Sequence, residues 1–404
     1  MRYNENKFFI DGISAEKLAK KYHTPLYCYS LNKIRKNVFD FKKNFRKINP
    51  LICFSVKANP NKVILNEINK LGLGADVVSI GELMKALNSG IKPNKIVFSG
   101  VGKTTEEIEY AIKKKILLIN AESKSEIIEI EKIAKKRKKK VNVGLRLNPN
   151  TDAKTLNQIS TGKKENKFGV SEKIFLDLSK YIKSSKNLNL TCLSVHIGSQ
   201  ILDHKPYDKM LRVLEKIIKK SRLNFEYIDL GGGMGINYDK SDKILNYKKY
   251  SSSIERFLKK FNSKIIFEPG RSIIGNSGIL ISKVIYIKEG FKKDFIILDA
   301  AMNDLIRPAL YNAKHNIIPL IKTNKKTKKM YEFVGPICES TDKFSSVNKF
   351  QKIKEKDFII ICDVGAYGMS LSSNYNLRPK AIELLVKNSK VHIISKRQKL
   401  KDLM

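Results

Sequence analysis

A lysine that directly follows a predicted strand is the first residue with the type and position for covalent chemistry. Lys57 comes after the apolar run 51–54, which is typical of a buried strand, and before a helical pattern over 61–71. Poor hydration at such a strand end lowers the pKa of a lysine and frees neutral amine. A neutral amine can form a Schiff base with a carbonyl compound. On this stretch alone the simpler interpretation is favoured, in which Lys57 is one of 67 lysines and borders a loop.

Polar residues follow several later predicted strands in the same way. They are Asp76, Ser79 and Glu82, then Arg146, His196 with Ser199, Asp229 with the glycine-rich run 231–235, and Glu268 with Gly270 and Arg271. Each alone has a common structural explanation, such as a histidine at a rim or a glycine cluster in a turn. Because the carboxyl ends of barrel strands meet at one face, their joint placement favours a shared site.

The elements that would position these residues alternate regularly from residue 31. Predicted strands fall at 51–56, 74–78, 95–99, 116–120, 141–147, 190–196, 226–230 and 264–268. Helical patterns separate most of them, for example over 104–115, 123–139, 171–183, 207–221 and 247–261. Eight strands with interleaved helices predict a (β/α)8 TIM-type barrel over residues 31–275. A doubly wound open sheet is the alternative, but its glycine fingerprint would follow the first strand.

A second, β-rich domain is predicted after the barrel. Strand patterns at 279–287, 295–298, 330–334, 357–362 and 391–394 have little helix between them. This spacing is typical of a β-barrel or sandwich, so the fold class is α/β plus all-β. The first 30 residues carry strand patterns at 7–10 and 25–29 around a helix at 14–22.

The composition, taken with the placement of the charges, predicts neither a nucleic-acid partner nor a membrane partner. The formal net charge is +40, which suggests a nucleic-acid or membrane-surface partner. Against this, the cations are 67 Lys and 12 Arg spread along helix faces, and aromatic residues do not interleave with them. Five scattered cysteines predict neither disulfides nor a zinc site. The absence of a secretory or membrane-spanning apolar run predicts a soluble, cytoplasmic protein.

The strand-end residues together fit one cofactor, pyridoxal phosphate. The glycines of 231–235 let backbone N–H groups approach a phosphate, without the Lys-Ser/Thr of a Walker loop. Glu268 opposite a pyridine nitrogen would keep that nitrogen protonated, which makes the ring a stronger electron sink. His196 has a flat ring suited to stacking, and Arg146 could brace Glu268 or a ring substituent.

The second domain carries candidate substrate ligands. Arg307 and Tyr311 are four residues apart, Cys338 adjoins Glu339, and Tyr367 follows a predicted buried strand. An arginine can hold a carboxylate in a fork, and a glutamate can hold an ammonium group. The structural alternatives are a surface ion pair for Arg307 and a small buried apolar group for Cys338.

These motifs together resemble the pyridoxal-phosphate decarboxylases of the alanine-racemase-like fold type, and within them the diaminopimelate decarboxylase family. The resemblance covers nearly the whole chain. It rests on residues 55–59 (SVKAN), 74–79 (GADVVS), 160–169 (STGKKENKFG), 196–200 (HIGSQ), 231–235 (GGGMG), 268–271 (EPGR), 302–311 (MNDLIRPALY), 338–340 (CES) and 365–368 (GAYG).

The resemblance implies a role for each candidate residue. It makes Lys57 the covalent holder of the cofactor, His196 its stacking partner and Glu268 the partner of its ring nitrogen. The phosphate residues are Ser199, Gly233, Gly270 and Tyr367, and the other cofactor-binding residues are Asp76, Arg146 and Arg271. The substrate residues are Arg271, Arg307, Tyr311, Glu339 and Tyr367, and Cys338 is the proton donor after carbon dioxide leaves.

The resemblance also implies an activity and an assembly. The expected reaction removes carbon dioxide from the D-configured centre of meso-diaminopimelate and yields L-lysine. Residues 1–30 and 276–404 would form the β-rich domain that completes the active site, in a homodimer with shared sites.

Other functions remain as alternatives. An ornithine, arginine or lysine decarboxylase of the same fold would carry a second acid where this chain has Arg307 to Tyr311. An alanine racemase would have an arginine opposite the pyridine nitrogen, and a cofactor-carrier barrel would lack the second domain. Nucleic-acid binding rests on net charge alone.

Overall fold

The protein forms two compact units in a computed structural model that describes residues 1–153, 155, 159, 161–238 and 243–404. The barrel unit comprises the described residues of Val38–Ile236 and Lys243–Ser272. The β unit comprises Met1–Asn37, Ile273–Met404 and residues 237 and 238. Ser160, the first residue of one motif quoted above, lies outside the described residues.

Eight parallel strands close the barrel. They are Leu51–Ser55, Gly74–Val77, Ile96–Phe98, Leu118–Ala121, Val141–Arg146, Leu188–Ser194, Tyr227–Asp229 and Lys264–Phe267. Each pairs with the next in chain order, and the last pairs with the first through Ile266 opposite Leu51. All eight predicted strands and the TIM-type barrel are therefore confirmed. Because all strands run the same way, their carboxyl ends share one face of the barrel.

The helices begin where the sequence provides caps. The α-helices are Ala15–Tyr22, Leu31–Asn44, Lys62–Lys70, Ile80–Asn88, Thr105–Lys114, Lys124–Lys136, Glu172–Ser184, Lys205–Ser221, Tyr247–Leu258, Arg271–Ile274 and Arg307–Tyr311. Asn61, Ser79 and Ser123 each accept a backbone N–H of the first helical turn through their side chains. Thr104 and Glu107 form a reciprocal capping box. Such caps typically stabilise a helix by roughly 1 kcal/mol each.

An aromatic cluster fixes the last barrel strand to its helices. The ring of Phe267 lies 4.6 Å from that of Phe45 and 5.6 Å from that of Phe41. Tyr250, on the helix Tyr247–Leu258, lies 5.8 Å from Phe45. All four rings are fully or nearly fully buried. Phe267 directly precedes Glu268 in the chain, so the cluster anchors the strand end that presents Glu268.

The β unit is built around one long strand. Its strands are Arg2–Asn4, Lys7–Ile10, Ile13–Ser14, Leu26–Ser30, Gly278–Lys288, Lys293–Leu298, Ile317–Pro319, Met330–Val334, Lys343–Val347, Phe358–Ile361, Ile382–Lys387 and Lys390–Ser395. The first half of Gly278–Lys288 pairs with Leu26–Ser30 and with Phe358–Ile361, and its second half pairs with Lys293–Leu298. A second, mostly β region is therefore confirmed.

One buried strand of the β unit was missed by the sequence prediction. Ile382–Lys387 pairs in parallel with Leu26–Ser30, far away in the chain. Its Glu-Leu-Leu segment consists of helix-forming residues, and Glu383 interrupts the apolar run. In the structure Tyr29 donates a hydrogen bond to the Glu383 carboxylate over 2.7 Å, which satisfies this buried acid. Tertiary pairing thus overrides local propensity here.

None of the helices in the described part of the chain is both long enough and apolar enough to cross a membrane.

Candidate active site

Lys57 lies beside a buried carboxylate at the mouth of the barrel. It occupies the 3-10 turn Val56–Ala58, directly after the first barrel strand. Its Nζ is 3.5 Å from Oδ2 of Asp76, and 43% of its side chain is exposed. The Ser55 hydroxyl donates to the same Asp76 oxygen over 2.5 Å. The amine is thus oriented by charge and left accessible, rather than enclosed in apolar surroundings as its sequence position suggested.

Glu268 belongs to a group of buried carboxylates. It follows the last barrel strand, its N–H donates to the carbonyl of Gly231 over 2.9 Å, and its Oε1 accepts the Ser99 hydroxyl over 3.2 Å. Burial raises the pKa of Glu268 well above its usual range, and the charges of Asp229 and Asp76 raise it further. Burial likewise raises the pKa of Asp229. Such a group of acids favours a cationic ligand.

Asp229 is held by donors from three sides. Its Oδ2 accepts Nδ2 of Asn120 over 2.8 Å and the Ser194 hydroxyl over 3.3 Å, and its Oδ1 accepts the Gly231 N–H over 2.9 Å. Asn120 fits only because a glycine faces it, since a Cβ on Gly144 would lie 1.9 Å from its side-chain oxygen. This network links the ends of three barrel strands, Leu118–Ala121, Leu188–Ser194 and Tyr227–Asp229.

His196 is set as a neutral ring. Its Nδ1 accepts the Gly232 N–H over 3.1 Å, so the ring proton of the neutral imidazole lies on Nε2. Burial lowers the pKa of His196 well below its usual range, and the positive charges of Arg146 and Lys57 lower it further. A neutral flat ring at this strand end suits stacking on a flat ligand.

The glycine loop packs too closely against its neighbours for side chains at its glycines. Gly233 has φ of +88°, and a Cβ on it would lie 2.3 Å from the carbonyl oxygen of Gly198. The buried Tyr207 hydroxyl donates to the carbonyl of Gly232 over 3.1 Å and so fixes the position of the loop. The N–H groups of Gly231, Gly232 and Gly235 donate to Asp229, His196 and the carbonyl of Ile201. A phosphate would therefore be held by the other N–H groups of the loop.

Arg271 and Ser199 are brought together. Arg271 Nη2 donates to the Ser199 hydroxyl over 2.9 Å, and Arg271 is buried. Gly270, also buried, separates Arg271 from the Pro269 that follows Glu268. The structure thus connects two predicted cofactor residues from the ends of different strands.

Arg146 is paired with an acid that the sequence prediction did not single out. Its Nη1 donates to Oε1 of Glu122 over 3.0 Å, and its guanidinium lies 4.9 Å above the ring of Phe168. Glu122 also accepts the N–H groups of Gly100 and Gly169. Arg146 therefore pairs with Glu122, whereas its sequence position predicted a contact with Glu268 or with a ring substituent.

In the β unit, Arg307 is buried rather than on the surface. It begins the helix Arg307–Tyr311, its Nη1 lies 2.7 Å from Nε2 of His315, and its guanidinium lies 4.7 Å from the ring centre of Tyr238. Tyr311, at the other end of the helix, is half-buried. A surface ion pair is therefore wrong for Arg307.

Cys338 and Glu339 lie on an exposed turn after the strand Met330–Val334. The thiol of Cys338 is exposed, which excludes the alternative of a buried apolar group. Glu339 accepts hydrogen bonds from the hydroxyls of Tyr375 and Thr341. Tyr367 has φ of +58° and follows Gly365, where a Cβ would lie 2.0 Å from the carbonyl of Ile274. Close backbone packing thus shapes the turn that presents Tyr367.

The residues of the barrel mouth fit pyridoxal phosphate. Lys57 supplies an amine, the glycine loop a phosphate cradle, and Glu268 with Asp229 a negative charge for a ring nitrogen. Oδ1 of Asp76 is buried and has no hydrogen-bond partner among the described residues, which also favours a ligand with a donor or a positive charge.

Comparison with known proteins identifies the family. Residues 31–275 match the family model described as the pyridoxal-binding domain of pyridoxal-dependent decarboxylases. A diaminopimelate decarboxylase of Helicobacter pylori is 44% identical over 391 residues, 96% of each chain. The chain belongs to the diaminopimelate decarboxylase family. It is thereby a pyridoxal-dependent decarboxylase.

A further relative and a solved structure of the diaminopimelate decarboxylase family extend the match. The diaminopimelate decarboxylase of Aquifex aeolicus is 41% identical over 402 residues, which are 98% of this chain and 95% of that protein. The crystal structure of the Helicobacter pylori diaminopimelate decarboxylase complexed with L-lysine has a TM-score of 0.91 at 42% identity, covering 96% of this chain and 98% of that one. Both units of the fold therefore have counterparts in the family.

Sequence reasoning missed several polar residues next to the predicted ones. They are Ser99, Asn120, Glu122, His315 and Tyr375. For Ser99, Asn120 and Glu122 a signal existed, because each follows or ends an apolar strand pattern. For His315 and Tyr375 there was none, because their partners Arg307 and Glu339 are identified only by the folded chain.

Proposed function

We propose that this chain decarboxylates meso-2,6-diaminopimelate to L-lysine and carbon dioxide, the last step of lysine biosynthesis, with the residues identified above in defined roles. The observation that carries the proposal is the strand-end group of Lys57, His196 and Glu268 with the glycine-rich loop 231–235, in a chain of this family. Pyridoxal phosphate, when bound, supplies a protonated pyridine ring into which the electrons of the breaking carbon–carboxylate bond delocalise.

The barrel residues hold and orient the cofactor. Lys57 supplies the amine that attaches it, and the pair of Glu268 and Asp229 supplies negative charge opposite its ring nitrogen. His196 presents its ring face, because its edge is fixed by the Gly232 N–H. The remaining cofactor residues are Asp76, Arg146, Ser199, Gly233, Gly270, Arg271 and Tyr367.

The β-unit residues hold the substrate and deliver a proton. Arg307 and Tyr311 bind the distal carboxylate, Glu339 binds the distal ammonium group, and Arg271 and Tyr367 assist. The exposed thiol of Cys338 donates a proton to the carbon that has lost its carboxylate. We also propose that residues 31–275 form the cofactor-binding barrel domain. Residues 1–30 and 276–404 form a β-rich domain that completes the active site.

The assembly we propose is a cytoplasmic homodimer with shared active sites. A two-fold interface places the same surface of both chains together, so each chain can lend its β-unit residues to the other. The exposure of Cys338 and Glu339 supports a role at such an interface.

One assay tests the activity directly. Release of carbon dioxide is measured from meso-diaminopimelate beside L-ornithine, L-lysine and L-arginine. We expect turnover of meso-diaminopimelate in large excess over the other three, because only it combines a D-configured reacting centre with a distal carboxylate. A preference for ornithine or lysine would overturn the proposal in favour of a decarboxylase for simple basic amino acids.

A further inference from the structure

A buried histidine lies directly behind the arginine that is proposed to hold the distal carboxylate. His315 is 3% exposed, and its Nε2 lies 2.7 Å from Nη1 of Arg307. On the other side, its Nδ1 lies 2.8 Å from the carbonyl oxygen of Cys362. The imidazole therefore bridges the helix that begins at Arg307 and the end of the strand Phe358–Ile361.

The position of this imidazole is fixed by the sheet. The Cys362 N–H donates to the carbonyl of Asn316 over 2.9 Å, and Ile317 pairs with Ile361 in the antiparallel register that follows. His315 thus lies two residues before the paired strand Ile317–Pro319. A side chain carried by such a paired backbone has little freedom to move.

The two partners determine the protonation of the ring. A carbonyl oxygen can only accept a hydrogen bond, so Nδ1 of His315 carries the proton. A guanidinium can only donate, so Nε2 carries the lone pair that accepts the Arg307 N–H. His315 is therefore neutral and of the Nδ1–H tautomer, and it acts on Arg307 as an acceptor of fixed direction.

A second contact sets the plane of the guanidinium. The Arg307 guanidinium lies 4.7 Å from the ring centre of Tyr238, and the Tyr238 ring meets that of His315 at 5.1 Å with an interplanar angle of 73°. Tyr238 restricts the tilt of the guanidinium and His315 restricts its rotation within the plane. A two-pronged contact with a carboxylate depends on both.

We propose that His315 is a positioning residue for Arg307 and thereby sets the preference for substrates that carry a distal carboxylate. The inference rests on the proposed function, in which Arg307 binds that carboxylate. His315 itself touches neither cofactor nor reacting atoms in this proposal. Its loss should weaken binding of the distal carboxylate and leave the chemical step unchanged.

Two matched variants test the proposal. His315→Asn keeps a donor for the Cys362 carbonyl but removes the acceptor for Arg307, whereas His315→Gln places an acceptor near the Nε2 position. We expect His315→Asn to raise the Michaelis constant for meso-diaminopimelate about tenfold, with the turnover number within about twofold of wild type. His315→Gln should recover most of the loss.

Two ligands separate carboxylate recognition from general damage. L-Lysine has the distal carboxylate, and pentane-1,5-diamine has the same carbon chain without it. In His315→Asn, inhibition by L-lysine should weaken about tenfold, while any inhibition by the diamine stays as in wild type. An unchanged inhibition constant for L-lysine, or an equal loss for both ligands, would overturn the inference.

Arg307→Ala separates this inference from the proposed function. If Arg307→Ala leaves L-lysine binding unchanged, the role of Arg307 in the proposed function fails. If Arg307→Ala weakens it and His315→Asn does not, only the inference about His315 fails. When His315 acts through Arg307, the double variant should bind L-lysine no more weakly than Arg307→Ala alone.

A measurement on the wild-type protein applies even if His315→Asn does not fold. The chain has only five histidines, so the ring nitrogens can be resolved by NMR after ¹⁵N-histidine labelling, with His315→Gln for assignment. We expect His315 as the neutral Nδ1–H tautomer. A charged ring or an Nε2–H tautomer at neutral pH would exclude an acceptor facing Arg307 and overturn the proposal.

Discussion

The barrel unit gathers buried carboxylates at its strand ends, whereas the β unit buries a cation among neutral rings. Asp76, Asp229 and Glu268 are all at most 8% exposed, and the nearby Lys57 is the more exposed member of its ion pair. In the β unit, Arg307 is 5% exposed and packs against His315 and Tyr238. Charges of one sign that are buried together favour a ligand group of the opposite sign, so the acidic group suits a cationic ligand group and the buried arginine suits a carboxylate.

This difference assigns the two clusters to different parts of the chemistry. In the proposed function, the acidic group complements the protonated ring nitrogen of the cofactor and the amine of Lys57. The arginine group complements a carboxylate, which belongs to the substrate. The predictions below test this division.

Removal of Lys57 should have the largest effect. We expect Lys57→Ala to lose at least about 10³-fold in activity, because no other described amine pairs with Asp76 at the barrel mouth. Borohydride reduction of the wild-type enzyme followed by peptide mapping should place the cofactor label on the peptide that contains Lys57. Lys85→Ala, at an exposed helix position, is the control and should keep full activity. A label on a different lysine would refute the assignment.

Neutralising the acidic group should have the next largest effect. Glu268→Gln removes the charge opposite the ring nitrogen, and loss of one preorganised charge typically costs ~10²–10³ in rate. The variant should still fold and bind cofactor, which absorbance spectra can verify. Glu109→Gln, which breaks an exposed pair with Arg137, should leave turnover unchanged. Near-normal turnover of Glu268→Gln would mean that the acidic group has another purpose.

Mixed dimers test whether the two regions act together across chains. Lys57→Ala and Cys338→Ala homodimers should each be nearly inactive, since every site lacks one group. If sites are shared, a mixed dimer has one site with both lesions and one intact site, so it should regain up to half of the wild-type activity. Activity is measured after subunit exchange that mass spectrometry has verified. Exchange without recovery would place all the groups of a site in one chain.

The smallest effect concerns an acid that is buried in the β unit outside the proposed site. Burial raises the pKa of Asp304 to about 7, although its Oδ2 accepts the Ala301 N–H over 3.0 Å. Between about pH 4 and pH 7 the folded chain therefore holds a proton that the unfolded chain has lost, so stability falls as the pH rises through this range.

Thermal melting at several pH values measures this effect. Asp304→Asn should reduce the decline in melting temperature between pH 4 and pH 7. Each kcal/mol of unfolding free energy that no longer depends on pH corresponds to roughly 2–4 °C in melting temperature. Asp357→Asn, at an exposed turn, should not change the slope. A decline of unchanged slope in Asp304→Asn would show that Asp304 is ionised in the folded state.

Much of the fold could be read from local patterns. The eight barrel strands alternate with helices, and the residues that cap these helices, such as Asn61 and Thr104, are of types that favour a helix start. The sequence singles out Lys57, His196 and Glu268 because each lies at the end of an apolar strand pattern. In a parallel barrel the carboxyl ends of all strands lie at the same face, so these residues share the mouth of the barrel. The missed strand Ile382–Lys387 shows the limit, because only its pairing with Leu26–Ser30 holds these residues extended.

The sequence by itself determined which residue types stand at the strand ends, because the periodicity of strands and helices is local. Only the tertiary structure decided which of them are partners. Asn120 meets Asp229 across 109 residues of sequence, Arg146 pairs with Glu122, and Arg307 with His315. The reason is physical: a buried polar group takes whichever partner the neighbouring strand or turn brings within hydrogen-bond distance, and neighbours are set by barrel closure and sheet register.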